Sequence, residues 1–273
     1  MDQAQGHPGS PPHRPVLVSG MPRSGSTWSY RAVRLLVEAA GLSFDPASGV
    51  LGDGAGVAAR LTAALPPGPD HVLVLKCHFP DRATLDRAAA GDLVNVYTWR
   101  DPRSVVASLR RTFGTSFKNA VRFAHRALAI HDCLRGDPSA LVIDHEAIVA
   151  RPGAELDRLA AFLGLVPDPQ ARAAILDALD RDHQRQAAHS AAGSGAVVDG
   201  LEHDPDTGLV HGHIPDGAIS HWQRDLSPVE IALCERLWAD RLARMGLPAQ
   251  GRRLAGPRWW YWRMRLRLDR QGG

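Results

Sequence analysis

The first sustained apolar run, Pro15-Val16-Leu17-Val18-Ser19, passes directly into Gly20-Met21-Pro22-Arg23-Ser24-Gly25-Ser26-Thr27. After it, Trp28, Ala32, Leu35, Leu36 and Ala39 recur at helical spacing, with Arg31, Arg34 and Glu38 on another face. The order is strand, tight loop, helix, and the loop has the frame G-x-x-x-x-G. That frame lets backbone N–H groups and a helix N-terminus surround an anion, with Ser24, Ser26 and Thr27 adding hydroxyl donors. Ser26 stands where loops that bind ATP or GTP place a lysine for the β/γ-phosphates. The nearest cation is Arg23, inside the loop. A phosphate-like ligand is expected here, and γ-phosphoryl transfer is disfavoured.

Three further strands are predicted. Val72-Leu73-Val74-Leu75 ends at Lys76-Cys77-His78, Leu93 to Trp99 ends at Arg100, and Ala140-Leu141-Val142-Ile143 ends at Asp144. Asp101-Pro102 reads as an N-cap followed by proline at the first helical position, opening a helix to about Phe113. Residues 115–135 and 153–163 also read as helical, and Ser227-Pro228 as a later helix start. Strands alternating with helices predict an α/β fold of the P-loop type, three layers deep, with a mostly parallel sheet. Arg23, His78 and Arg100 each follow a strand's C-terminal end, the edge where open α/β sheets bind ligands.

A chain of 273 residues can bury a full core, and 44% apolar with 22% charged residues is ordinary for a globular protein. One domain is expected over 14–256, after a Gly/Pro-rich tail at 1–13. Residues 186–218 have no sustained period and read as a long loop or lid. Residues 257–273 form a basic-aromatic segment. The three cysteines, Cys77, Cys133 and Cys234, suggest a reducing compartment and no disulfide framework. No secretory signal or membrane span is evident, so the expected location is cytoplasmic. A formal charge of +3 is too small to argue for a nucleic-acid partner.

Pro22-Arg23-Ser24-Gly25-Ser26-Thr27-Trp28 resembles the 5′-phosphosulfate loop of sulfotransferases that use 3′-phosphoadenosine 5′-phosphosulfate (PAPS). Arg100-Asp101-Pro102-Arg103-Ser104-Val105-Val106-Ala107-Ser108 is similar to that family's 3′-phosphate motif, and Lys76-Cys77-His78 to its K-T-H. His145-Glu146, Arg151-Pro152 and Phe162-Leu163-Gly164-Leu165 are similar to its Y-E-D…P…F-L-G-L stretch. Gly217 to Ser227, with Trp222 and Leu226, resembles its later G…W loop. The matches span roughly 15–240 in the family's order, in a short chain of bacterial type similar to the cytosolic members.

The resemblance implies a PAPS-dependent sulfotransferase that releases adenosine 3′,5′-bisphosphate (PAP) and needs no metal. It puts Arg23, Ser24, Gly25, Ser26 and Thr27 at the 5′-phosphosulfate, Arg100 and Ser108 at the 3′-phosphate, and Trp28 at adenine. His78 is the implied general base, and Lys76 stabilises the transferring group. His145 stands where the family often has an adenine-contacting Tyr. Many eukaryotic cytosolic members carry R-K-G where this chain has Pro215-Asp216-Gly217, which leaves the Gly217 backbone as the implied contact. The implied acceptor is a small molecule or a carbohydrate with a hydroxyl or amine. A P-loop kinase and a non-catalytic nucleotide-binding module are the alternatives. His211 and His213, with His203 and Asp204 nearby, match no strong zinc signature. The stretch 257–268 reads as a packed terminal element, with a peripheral membrane contact or an anionic partner as the sharper readings.

Overall fold

The computed structural model describes residues 14–44, 54–63, 70–180, 196–198, 201–203 and 222–250. Strand β1 (Val16–Gly20) leads into helix α1 (Ser26–Ala39), followed by the short β2 (Ser43–Phe44) and α2 (Gly54–Ala63). Next come β3 (His71–Val72), β4 (Val74–Cys77), α3 (Arg82–Ala89), β5 (Val94–Trp99) and α4 (Pro102–Phe113). Helix α5 (Phe117–Leu134), β6 (Ala140–Asp144), α6 (His145–Ala150), α7 (Pro152–Leu163) and α8 (Pro169–Ala178) follow. Two three-residue strands, β7 (Ala196–Val198) and β8 (Leu201–His203), precede α9 (Trp222–Asp225), α10 (Pro228–Leu237) and α11 (Ala239–Arg244).

The main sheet has the order β4-β1-β5-β6, and its paired strands are parallel. Its apolar strands are continuous rather than alternating because helices cover both faces. Val16, Val18, Val94 and Val96 pack on one side with Val33, Leu36 and Leu159. Tyr97 packs on the other with Val106, Leu128 and Trp238, and its hydroxyl donates to the Ala127 carbonyl at 2.6 Å, fastening α5 to β5. Chain order reverses across β1, so the space beyond its C-terminal end is flanked by the ends of β4 and β5. This is the switch point at which doubly wound sheets form ligand crevices.

The predicted Asp101 cap is present, its carboxylate accepting from the Arg103 amide at 2.9 Å. Ser227 and Glu230 form a full capping box under Pro228. Three features differ from the sequence expectations. The strand expected over 72–75 is two pieces. His71–Val72 pairs with Ser43–Phe44, and Val74–Cys77 joins the main sheet. The stretch expected to be a lid without regular structure contains an antiparallel pair, with Val197 opposite Glu202. Its sequence signal is the dipeptide Asp199-Gly200 between short apolar runs, a hairpin pattern that helical or strand periodicity alone passes over. Residues 54–63, for which no element was predicted, form α2. The tail at 1–13, the rest of 186–218 with Gly217, and the segment 257–273 lie outside the described residues.

Candidate active site

The loop after β1 is shaped by close approach and by backbone conformation. A Cβ at Gly20 would lie 2.2 Å from Thr98 Oγ1 and 2.8 Å from the Thr98 carbonyl oxygen, so β5 admits only glycine there. Gly25 has φ +92° at the entry to α1, a region open to glycine and costly for other residues. Arg23 is the one non-glycine with positive φ among the described residues, at 67°. Ser24 is fully buried and its hydroxyl lies 2.6 Å from the Met21 carbonyl, 3.0 Å from the Thr98 carbonyl and 2.7 Å from Thr98 Oγ1. Its amide donates to Met21 as well. Ser24 therefore fastens the loop from inside, and its expected direct role as an anion donor is not what its hydrogen bonds serve. Thr98, which holds it, carried no signal in the sequence.

Helix α1 begins at Gly25 with no side-chain cap. Helices α7 and α11 likewise lack a side-chain cap, whereas α3, α4, α5, α6, α8 and α10 are capped by Asp81, Asp101, Ser116, Asp144, Asp168 and Ser227. An uncapped helix start keeps N–H groups available to a bound anion. Ser26 opens this helix and is nearly buried.

Cations converge on that start from three strands. Arg23 Nε donates to Ser108 Oγ at 3.1 Å, and Arg100 Nη1 donates to the Arg23 carbonyl at 3.3 Å. The 5′ loop and the 3′ motif, 85 residues apart for the first pair, are thus joined directly. Burial pulls the Arg23 guanidinium down to about 10, and the positive charges of Arg100 and Arg111 add to the effect. Like charges held together in a buried place favour an incoming anion. Asp101, next in sequence to Arg100, is gripped at both carboxylate oxygens by Arg103.

Lys76 is 4% exposed and its ammonium donates to Thr27 Oγ1 at 2.8 Å. A hydroxyl that accepts can still donate, so Thr27 keeps its proton for a ligand. Burial lowers Lys76 to about 8. The Tyr30 ring lies 5.9 Å from the ammonium, a contact the sequence did not suggest. His78, half-buried, sits with Nδ1 3.0 Å from the Gly20 carbonyl oxygen. A carbonyl only accepts, so the neutral ring carries its proton on Nδ1 and leaves Nε2 as the basic nitrogen.

Two candidate residues stand differently. Trp28 is 8% exposed and packs in the apolar layer with Val18 and Val33. His145 opens α6 close to the loop, its ring carbon Cδ2 3.6 Å from where a Cβ on Gly25 would lie. Arg224, the first arginine after Pro215-Asp216-Gly217, is an exposed side chain paired with Asp225.

The same fold occurs in solved structures. A crystal structure of retinol dehydratase with androsterone and the inactive cofactor PAP superposes with a TM-score of 0.57 at 18% identity, covering 91% of this chain and 84% of that one. Mouse sulfotransferase SULT7A1 complexed with PAP gives 0.57 at 11% identity, covering 84% and 85%. The fold is that of a sulfotransferase. Retinol dehydratase with retinol and PAP gives 0.54 at 18% identity, covering 85% and 82%. No protein-family model matches the chain, and no curated protein sequence does. The sulfotransferase fold places the β1 loop, Lys76-Cys77-His78 and Arg100 at one edge, as the strand order requires.

Proposed function

We propose that this protein transfers a sulfuryl group from PAPS to a hydroxyl, or an amine, of an acceptor and releases PAP. The observation that carries the reading is the convergence of Arg23, Lys76, His78, Arg100 and Ser108 around one uncapped helix start. A donor with anions at both ends needs two cationic holds. Arg23 and the loop amides suit the 5′-phosphosulfate, and Arg100 with Ser108 suits the 3′-phosphate. Guanidinium matches phosphate geometry better than a point charge does. Gly25, Ser26 and Thr27 line the 5′ end, with Trp28, His145 and Gly217 assigned to the nucleotide by resemblance.

In the reaction, His78 Nε2 takes the acceptor's proton as its oxygen bonds to sulfur. The bond between sulfur and the bridging oxygen breaks, and the electron pair leaves on the 5′-phosphate of PAP. Lys76 and Arg23 hold the charge that grows on the bridging and sulfuryl oxygens, the place where a fixed cation is most effective. Removing the acceptor proton in step contributes about 10²–10⁴-fold. The kinase alternative is weaker, because Ser26 occupies the position of the phosphate-binding lysine. We place the enzyme in the cytoplasm. Among the described residues no helix is long and apolar enough to cross a membrane.

The test is transfer of labelled sulfuryl from PAPS to a panel of phenols, alcohols, amines and saccharides in the presence of a chelator. Turnover that His78→Asn suppresses by at least about 10²-fold is the expected result. Turnover that requires Mg-ATP instead would overturn it.

A further inference from the structure

Helix α5 carries Lys118, Arg122 and Arg126 at intervals of four residues, on one face. The repeat is about 6 Å, so the three charges span about 12 Å of helix. Arg122 and Arg126 are exposed and Lys118 is half-buried. Among the described residues, no carboxylate lies within ion-pairing distance of any of the three. Several other arginines pair with carboxylates, as in Arg82 with Asp86, Arg110 with Glu230, Arg158 with Glu155, Arg172 with Asp157 and Arg241 with Asp132. Lys118 also lies in the first turn of α5, which has no acidic residue, where the helix dipole disfavours a cation. Ion pairs within the described residues and the helix dipole therefore add no stability through Lys118 and Arg122.

It leads to the reacting edge. Arg126 lies over the Phe79 ring at 4.6 Å, and its Nη2 is 3.5 Å from the Phe79 carbonyl oxygen. Phe79 is next in sequence to His78. Phe123, 42% exposed, stacks on Phe79 with ring centres 5.7 Å apart and 21° between planes. A flat apolar surface and a row of cations therefore end together beside the proposed base.

We propose that this face binds the acceptor, and that the acceptor is an acidic oligosaccharide. The inference rests on the sulfotransferase reading for what happens at His78. A linear acidic saccharide offers anions at intervals for the stripe, ring faces for Phe123, and hydroxyls for sulfation. An acidic peptide can also meet a cluster of arginines, but it offers a hydroxyl only at an occasional side chain, whereas every ring of a saccharide carries hydroxyls. A membrane surface would call for more apolar anchors, and Phe123 is the one exposed large apolar side chain of α5.

The experiment uses the full chain and a glucuronate-containing tetrasaccharide, beside the same saccharide with its carboxyls reduced to alcohols. Direct binding is measured by calorimetry at low and high salt, without donor. The wild type is expected to favour the carboxylated form by about tenfold or more, as three exposed charge pairs allow, and to lose that preference in salt. Lys118→Gln, Arg122→Gln and Arg126→Gln combined erase the preference, and Arg122→Gln alone reduces it partly. In turnover with PAPS the loss falls on KM rather than kcat, while PAP still raises the Tm of the triple variant. Equal binding of the two saccharides overturns the proposal, as does a triple variant that binds like the wild type. An acidic tyrosine peptide that binds tighter than the saccharide overturns the choice of acceptor. If the preference holds but PAP stabilises neither protein, the surface stands and the donor reading falls.

Discussion

Two arginines of one short motif, Arg100 and Arg103, are both buried and face opposite electrostatics. Burial alone would lower Arg103, but Asp101 and Glu235 more than offset it, and its affinity for the proton is raised. Its guanidinium also donates to the Pro248 carbonyl at 2.9 Å and lies 4.1 Å from the Trp222 ring. It ties α4 to the chain around α9 and α10 across 132 residues. Arg100 instead lies against Arg23, whose guanidinium is lowered by burial and then by Arg100 and Arg111. Arg103 is held by two carboxylates within the fold, while Arg23 and Arg100 lie cation against cation, the arrangement that the proposed function assigns to the donor's anions. Burial alone would have ranked the two positions together.

The sharpest way to break this contrast is to remove each charge. Arg103→Gln leaves Asp101 and Glu235 facing each other in a buried place and is expected to lose about 3–5 kcal/mol, read by urea unfolding. Arg100→Gln relieves a like-charge contact, so its stability is expected to change by no more than about 1 kcal/mol while PAP binding is lost. Equal destabilisation by the two would erase the distinction. Next in size, His78→Asn is expected to lower kcat by about 10²–10⁴-fold and to leave PAP-induced stabilisation intact. A variant that loses PAP binding as well would make His78 part of the donor site.

Gly20→Ala tests the loop itself. Its Cβ would collide with Thr98, and a loss of about 1–3 kcal/mol or more is expected by thermal melting. The smallest effect is a titration. Lys76 and Lys118 are the chain's two lysines, so methyl-labelled lysine NMR resolves them separately. Lys76 is expected to titrate near 8 in the free protein and to shift upward when PAP supplies negative charge. Because its folded value lies below the ordinary 10.5, the unfolded chain binds more protons between pH 8 and 10.5. This group's contribution to stability therefore rises with pH across that window, and its burden is complete below about 8. An unshifted Lys76 would remove it from the charge cluster.

Much of the sheet and the donor loop was legible because both depend on local pattern. Strands buried on two faces read as apolar runs, and the loop is held by a glycine frame that sequence displays directly. Asp101-Pro102 and Ser227-Pro228 announced their helices for the same reason. What stayed hidden depends on partners far along the chain. Nothing near Gly20 reveals that Thr98 crowds it, and nothing near Arg103 reveals Glu235. Ser24 looked like a ligand donor because its type and place fit, yet its hydrogen bonds turn inward. The break at Leu73, between the two short strands, was missed because one apolar run serves two sheets.

The central claim is that Arg23 and Arg100 form a hold for a bisphosphorylated nucleotide. Thermal melting with PAP, in chelator, tests it most directly, with Mg-ATP and free phosphate as controls. At about 100 times its Kd, PAP adds about 2.7 kcal/mol, a rise of a few degrees for a domain of this size. The wild type is expected to show that rise, Arg100→Gln to lose it, and phosphate to give no comparable rise. Stabilisation by Mg-ATP alone, or a PAP effect that survives Arg100→Gln unchanged, would contradict it.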